Sequence, residues 1–244
     1  MSIALVVPCY NEASRLDTGY WKLAADLPGL SLIFINDGST DDTGNVLIGL
    51  CNQSEAQCVH LSSNVGKSEA VRLGMLGAYE NFEGEFTAIG FIDSDGAFSL
   101  AEIERITKIF RQRTLPPHDF DSVWSSRIGL AGHMIQRKKT RHYLGRIIAS
   151  LVTAGKSNCP YDTQSGFKIW VMSSEFRQCL TPPFKTRWFF EIELLGRWQR
   201  LHRRKMRIWE EPVEFWQDMS GSKIRLREFS RIAKEILKIR LLKW

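Results

Sequence analysis

Leu32-Ile-Phe-Ile-Asn36-Asp-Gly-Ser-Thr40-Asp-Asp-Thr-Gly-Asn45-Val-Leu-Ile-Gly-Leu50 changes its pattern half-way along. Four apolar residues end at Asn36-Asp37-Gly38, the signature of a short buried strand stopped by a turn. The Ser/Thr/Asp cluster that follows supplies a helix start, so a helix is predicted over 40–50. Towards the N-terminus, Ile3-Ala-Leu-Val-Val7 before Pro8 predicts another buried strand, with a helical stretch between the two. Towards the C-terminus the alternation continues as a strand at 59–61, a helix over 67–79, a strand over 86–92 and a helix from Phe98 to about Arg113. Strands alternating with helices imply an α/β fold with a mostly parallel central sheet flanked by helices. Ligands of such sheets lie beyond the carboxyl ends of the strands.

Past Pro116-Pro117 the pattern loosens. Strands are predicted at 122–124, 166–172 and 206–215, with helices near 141–153 and 190–201. There is no internal repeat and no low-complexity linker. The expected organisation is one domain over 1–220, made of a nucleotide-binding half (1–98) and an acceptor half (99–220), followed by a basic amphipathic helix over 221–244.

A chain of 244 residues, 43% hydrophobic, can bury one sizeable core. Its longest apolar runs, 3–7 and 88–92, fall far short of the roughly 20 residues of a membrane span. Met1-Ser2-Ile3 does not open a secretory signal, so a cytoplasmic location is expected. Five cysteines without a CxxC pair argue against a disulfide framework and against structural zinc. The net charge of +6 favours anionic partners. Much of it lies in Arg137-Lys138-Lys139, Arg203-Arg204-Lys205 and the tail from Lys223 to Lys243. In that tail Phe229, Ile232, Ile236 and Ile239 recur at helical spacing among Arg231, Lys234, Lys238, Arg240 and Lys243. The pattern suits a helix lying peripherally on the cytoplasmic face of an anionic membrane, and equally a helix packed on the domain. No nucleic-acid recognition motif accompanies the bases, and no nucleic-acid partner is expected.

The strongest local signal is Phe91-Ile-Asp93-Ser94-Asp95-Gly96, two carboxylates one residue apart where an apolar strand runs out. Carboxylates held this close repel, and a divalent cation with a preference for oxygen, Mg²⁺ or Mn²⁺, would let both ionise. The same tripeptide also occurs as an ordinary turn with solvated acids. Asp37 ends the second strand, where a carboxylate can meet a ribose hydroxyl or a base N–H; Asp-Gly-Ser is also a common turn. No GxGxxG follows the first strand, which disfavours a dinucleotide site. Asn64-Val-Gly66-Lys67-Ser68 is not a Walker motif, because Leu61 stands where its first glycine belongs, but Lys67 at a helix start can approach phosphates.

Taken in order, Pro8-Cys-Tyr10-Asn11-Glu12, Asn36-Asp37-Gly38-Ser39-Thr40-Asp41, Asn64-Val-Gly66-Lys67 with Ala70-Val71-Arg72-Leu-Gly74-Met75, and Asp93-Ser-Asp95-Gly96 resemble family 2 glycosyltransferases. Ser126-Arg127, Asp162-Thr-Gln164-Ser-Gly166-Phe167-Lys168, Trp188-Phe-Phe-Glu191-Ile-Glu193 and Glu211-Pro-Val213 through Gly221-Ser222-Lys223 are similar to the dolichyl-phosphate glucosyltransferase and mannosyltransferase branch. The resemblance implies a GT-A fold and an inverting, metal-dependent transfer of a hexose from a nucleotide diphosphate sugar, with UDP-glucose favoured as donor. The acceptor it implies is a polyprenyl phosphate; a saccharide or other hydroxyl is the alternative.

By resemblance, Pro8, Tyr10, Asn11, Glu12, Asp37, Gly38, Lys67 and Ser94 would hold the nucleotide, and Asp93 and Asp95 the metal and diphosphate. Arg127 would meet diphosphate or acceptor phosphate. Asp162, Gln164, Lys168, Glu191, Glu193 and Lys223 would line the sugar or acceptor pocket, with Glu191 a candidate base in a position where aspartate is more usual. A phosphate acceptor is already ionised near neutral pH and needs no base, whereas a hydroxyl needs one.

Overall fold

The computed structural model describes residues 2–81, 84–136, 139–154, 159–217 and 226–241. Strands β1 (Ile3–Cys9), β2 (Leu30–Asn36), β3 (Gln57–His60) and β4 (Ala88–Ile92) alternate with helices α1 (Thr18–Ala25), α2 (Thr43–Cys51) and α3 (Lys67–Asn81). Then come α4 (Leu100–Arg113), β5 (Ser122–Ser126), β6 (Met134–Gln136), α5 (Lys139–Thr153), β7 (Phe167–Val171) and α6 (Ser174–Leu180). The chain continues through α7 (Phe190–His202), β8 (Ile208–Pro212), β9 (Phe215–Gln217) and α8 (Leu226–Leu241).

The main sheet runs β3-β2-β1-β4-β7-β5-β8. Every neighbouring pair is parallel except those of β7, which is antiparallel to both β4 and β5. This is the mixed, mostly parallel sheet that the alternation of elements implies. Its central strands are buried on both faces, which is why β1 and β4 read as continuous apolar runs. Ile3, Leu5 and Val7 point to one side and pack with Trp21, Leu47, Leu50, Ile103, Ile106 and Phe110. Ala4 and Val6 point to the other and pack with Val71, Met75, Phe176, Leu180, Phe190 and Leu194. Period two along the strand thus builds two cores, one on each side of the sheet. Helix starts are fixed locally: Asp17 accepts from the Tyr20 amide, Ser99 from Glu102 and Ser173 from Phe176.

The third strand begins two residues before the predicted 59–61. The single late strand expected over 206–215 is two strands: β8 pairs with β5, and β9 crosses to a small second sheet with β6. α8 packs on the domain, since Ile236 and Ile239 lie with Ile148 and Val152 of α5 and with Phe189 and Ile192. The apolar positions that suit a membrane surface are therefore spent, at Ile236 and Ile239, on protein. Arg137, Lys138 and Lys223 lie outside the described residues. Among the described residues no helix is long and apolar enough to cross a membrane.

Candidate active site

Asp93 is the first residue past β4, and its amide donates to Gly166 O at 2.9 Å, so β4 and the segment entering β7 stay paired one step beyond the strand. Gly166 is required there. A Cβ on it would overlap the Asp93 carboxylate, coming to 2.6 Å from Cγ. Asp93 Oδ1 lies 2.5 Å from Nζ of Lys67, the first residue of α3. Burial and then the Asp93 charge raise the Asp95 pKa, against the Ala97 amide, Lys67 and Arg15. Burial pulls Lys67 down, but Asp93, Glu191 and Asp95 outweigh it and its ammonium is held above its ordinary range. Glu12 is pushed up by burial, relieved by Arg15 and pushed further by Asp95, Asp41 and Asp93.

The loop that carries the two aspartates, from Asp93 to Phe98, is fixed by side chains that sequence patterns do not flag. Trp21 Nε1 donates to Ser94 O at 3.3 Å, and Tyr20 Oη donates to Phe98 O at 2.6 Å. Crowded, partly desolvated carboxylates at a strand end fit a hard divalent cation, which would relieve the repulsion that raises Asp95. Among the described residues no group of three or more acid, histidine or cysteine side chains could hold an ion. A cation at Asp93 and Asp95 would complete its shell with donor oxygens and water.

The loops after β1 and β2 are bonded to each other. Pro8 and Cys9 pair with Ile35 and Asn36, and the Asp37 amide donates to Cys9 O. Asn11, at φ 53°, donates from its amide to Ser39 Oγ and accepts the Thr40 amide on its side chain. The Glu12 amide donates to Thr43 Oγ1, and the Gly38 amide to Asn36 O. Tyr10 stands exposed beside them. Asp37, expected to face a ribose or base, is 2% exposed. Its carboxylate accepts the amides of Val65 and Gly66 at 2.7 and 2.9 Å and the Asn64 side chain at 3.1 Å. Burial raises it and those two amides lower it. Its visible work is to fold the loop that delivers Lys67.

Lys168 and Glu191 meet across the end of β7. Lys168, 0% exposed, donates to Glu191 Oε1 at 2.8 Å and to the carbonyls of Thr163 and Ser165 at 3.1 and 2.6 Å. Burial lowers the Lys168 pKa and Glu191 opposes that. Glu191 Oε2 is buried with no hydrogen-bond partner, so one lobe of this carboxylate is uncommitted.

Two residues on, Glu193 has a different position. Residues i and i+2 of a helix point about 200° apart. Glu193 accepts the amides of Lys185 and Thr186, the Thr186 hydroxyl and the Arg197 guanidinium, and is 1% exposed. Expected from sequence beside the sugar or acceptor, it is in the fold an internal tie between α7 and the segment that enters it.

Arg127 lies on Asp162 through Nε and Nη2 at 2.7 and 2.9 Å, with the Arg127 amide also donating to Asp162. The Gln164 amide donates to the same carboxylate at 3.2 Å. Glu210, missed by sequence reading, accepts the amides of Tyr161 and Asp162 at 2.6 and 2.7 Å. Its signal was the tandem Glu210-Glu211 on a strand, where neighbours face opposite ways. Glu211 goes instead to Arg105 of α4. Arg127, Asp162 and Gln164, expected from sequence on the acceptor side, are thus joined with Glu210 in one network.

The family description Glycosyl transferase family 2 matches residues 4–163. The chain belongs to glycosyl transferase family 2. This glycosyltransferase is 29% identical to a dolichyl-phosphate beta-glucosyltransferase of Trichomonas vaginalis, over 96% of its own length and 69% of that protein. It is likewise 29% identical to the dolichyl-phosphate beta-glucosyltransferase of Drosophila melanogaster, over 92% of its length and 69% of the relative. In three dimensions it is similar to glucosyl-3-phosphoglycerate synthase of Mycobacterium tuberculosis, solved with Mn²⁺, UDP and glucosyl-3-phosphoglycerate. The TM-score is 0.67 at 19% identity, over 98% of this chain and 78% of that one. The glycosyltransferase therefore has the GT-A fold.

Proposed function

We propose that this glycosyltransferase moves glucose from UDP-glucose onto a polyprenyl phosphate of the dolichyl phosphate type, with inversion at the anomeric carbon. The observation that carries the reading is that the likeness to dolichyl-phosphate beta-glucosyltransferases runs through the acceptor half as well as the donor half, covering 96% of the chain. A β product from an α-linked donor requires inversion, hence a single in-line displacement.

Charge builds on the departing diphosphate, and positive charge placed in advance lowers that barrier most. Lys67 stands at the α3 N-terminus beside Asp93, and Arg127, just past β5 and oriented by Asp162, would bring a second cation. Asp93 and Asp95 would hold a divalent cation, Mg²⁺ or Mn²⁺, which when bound supplies further neutralisation of the leaving group. Glu191, whose Oε2 has no hydrogen-bond partner while Lys168 fixes the other oxygen, would accept a hydroxyl of the donor sugar. A phosphate acceptor arrives ionised, so Glu191 need not remove a proton.

The acceptor chemistry calls for a membrane face, which α5 would supply. Tyr143, Ile147 and Leu151 recur every four residues on α5 and are 65%, 58% and 42% exposed. Leu237, Lys234, Lys238 and Arg240 are exposed on α8, which packs beside α5. An apolar stripe flanked by cations suits an anionic bilayer surface.

The test is transfer of label from UDP-glucose, with GDP-mannose in parallel, into organic-extractable product using polyprenyl phosphate and Mg²⁺ or Mn²⁺. Labelled lipid that disappears in Asp93→Asn and Asp95→Asn supports the reading. Labelled saccharide with no labelled lipid overturns it in favour of a hydroxyl acceptor.

A further inference from the structure

Four consecutive backbone amides on the segment entering α7 are gripped by two buried carboxylates. Those of Lys185 and Thr186 donate to Glu193 of α7. Those of Arg187 and Trp188 donate to the two oxygens of Glu235 of α8, at 3.0 and 2.8 Å. Glu235 is 7% exposed, and a carboxylate at that depth is expensive unless its hydrogen bonds are made. The arrangement fixes the backbone of this strap and leaves the Arg187 side chain projecting from it.

The Arg187 guanidinium lies against the loop that precedes Lys67. A Cβ on Gly66, at φ +93°, would come to 2.6 Å from Arg187 Nη2 and 2.7 Å from Nε, so only glycine lets the guanidinium approach this backbone. Arg187 Nη2 reaches Asn64 Oδ1 at 3.4 Å, a long bond to a neutral acceptor. Asn64 and Gly66 are the residues that Asp37 holds, and Lys67 next to them meets Asp93. The exposed Arg187 side chain thus stands on the donor loop one residue from Lys67, with no carboxylate hydrogen-bonded to its guanidinium among the described residues. A guanidinium offers donors alone, in a planar fork suited to phosphate oxygens.

We propose that Arg187 is a further contact for the donor diphosphate, and that Glu235 is the positioning residue that holds it there, making the C-terminal helix part of the donor site. The inference rests on the nucleotide-sugar reading above. Arg187 and Lys67 would receive the diphosphate from two elements far apart in sequence, and the guanidinium would exchange its long bond to Asn64 for charge-assisted ones.

The experiment is calorimetric titration of the full chain with UDP, UMP and uridine in Mg²⁺ buffer, for wild type, Arg187→Gln, Glu235→Gln and the double variant, each checked by its thermal midpoint. Arg187→Gln is expected to weaken UDP about ten- to a hundredfold, the range for a charge-assisted hydrogen bond, while uridine changes less than twofold. Glu235→Gln is expected to weaken UDP several-fold with Arg187 intact, and the double variant to bind no worse than Arg187→Gln alone. Unchanged UDP affinity in Arg187→Gln overturns the proposal, as does an equal loss for uridine. Additive losses in the double variant remove Glu235 from it. A wild-type chain that does not bind UDP sinks the donor reading and this one with it; wild-type binding that Arg187→Gln retains in full sinks this one alone.

Discussion

Replacing Gly166 with alanine puts a methyl group where the Asp93 carboxylate now lies. The new Cβ would sit 2.6 Å from Asp93 Cγ and 3.1 Å from its Cβ. Carbon atoms settle near 3.5–4.0 Å, so the carboxyl group must retreat by about 1 Å. The retreat is mechanically easy, because the Asp93 side chain is 34% exposed and can swing outward. The stability cost should therefore fall at or below the low end of the ~1–3 kcal/mol of overpacking. Function has no such outlet. The displaced carboxylate loses its place beside Lys67 and its spacing to Asp95, and a misplacement of about 1 Å in a reacting constellation can cost about a hundredfold. We expect kcat/KM for UDP-glucose to fall about a hundredfold in Gly166→Ala, with a thermal midpoint within a few degrees of wild type. Wild-type kinetics in a folded Gly166→Ala protein would refute the claim that Asp93 must stand where it does.

Three further outcomes are expected. Asp95→Asn should raise the thermal midpoint of the metal-free protein while abolishing transfer. Because burial and Asp93 raise the Asp95 pKa, its contribution to stability is present below the unfolded value and lost as pH rises through the raised folded one. The gain from Asp95→Asn should therefore grow from pH 4 to pH 7 in melting curves, and a constant difference would show that Asp95 is not perturbed. Glu193→Ala strands the buried Arg197 guanidinium and should cost about 3–5 kcal/mol in urea unfolding, whereas a catalytic residue would lose rate at full stability. Ile147→Glu on the exposed α5 face should reduce flotation with anionic liposomes and leave UDP affinity unchanged; equal flotation would remove α5 from the membrane face.

Much of the donor side is legible in the sequence because strand ends carry it. Apolar runs that stop at Pro8, Asn36 and Asp93 announce both the strands and the loops beyond them, and the structure keeps that order. Roles were harder to read than places. Asp37 and Glu193 look like ligands in a one-dimensional pattern, and their oxygens also accept hydrogen bonds from groups that only the folded chain brings near. Glu235 was hidden among bases, although it shares a helix face with Ile239 four residues on. β6, with three residues, and α6, with seven, are too short to show a period. The antiparallel insertion of β7 leaves no local trace, because sheet order depends on partners distant along the chain.

That insertion has a bearing on how the protein is made. β4 is bonded on one side to β1 and on the other to β7, and Phe167 lies 75 positions after Ile92 in the sequence. At a synthesis rate of about 5–20 residues per second, the second edge of β4 waits roughly 4–15 s for its partner to leave the ribosome. An apolar strand with an open edge is a template for pairing with another chain. Nascent chains shorter than about 170 residues should therefore be the species that aggregates and that chaperones retain, and a fragment ending after α4 would expose the middle of a sheet rather than a finished border.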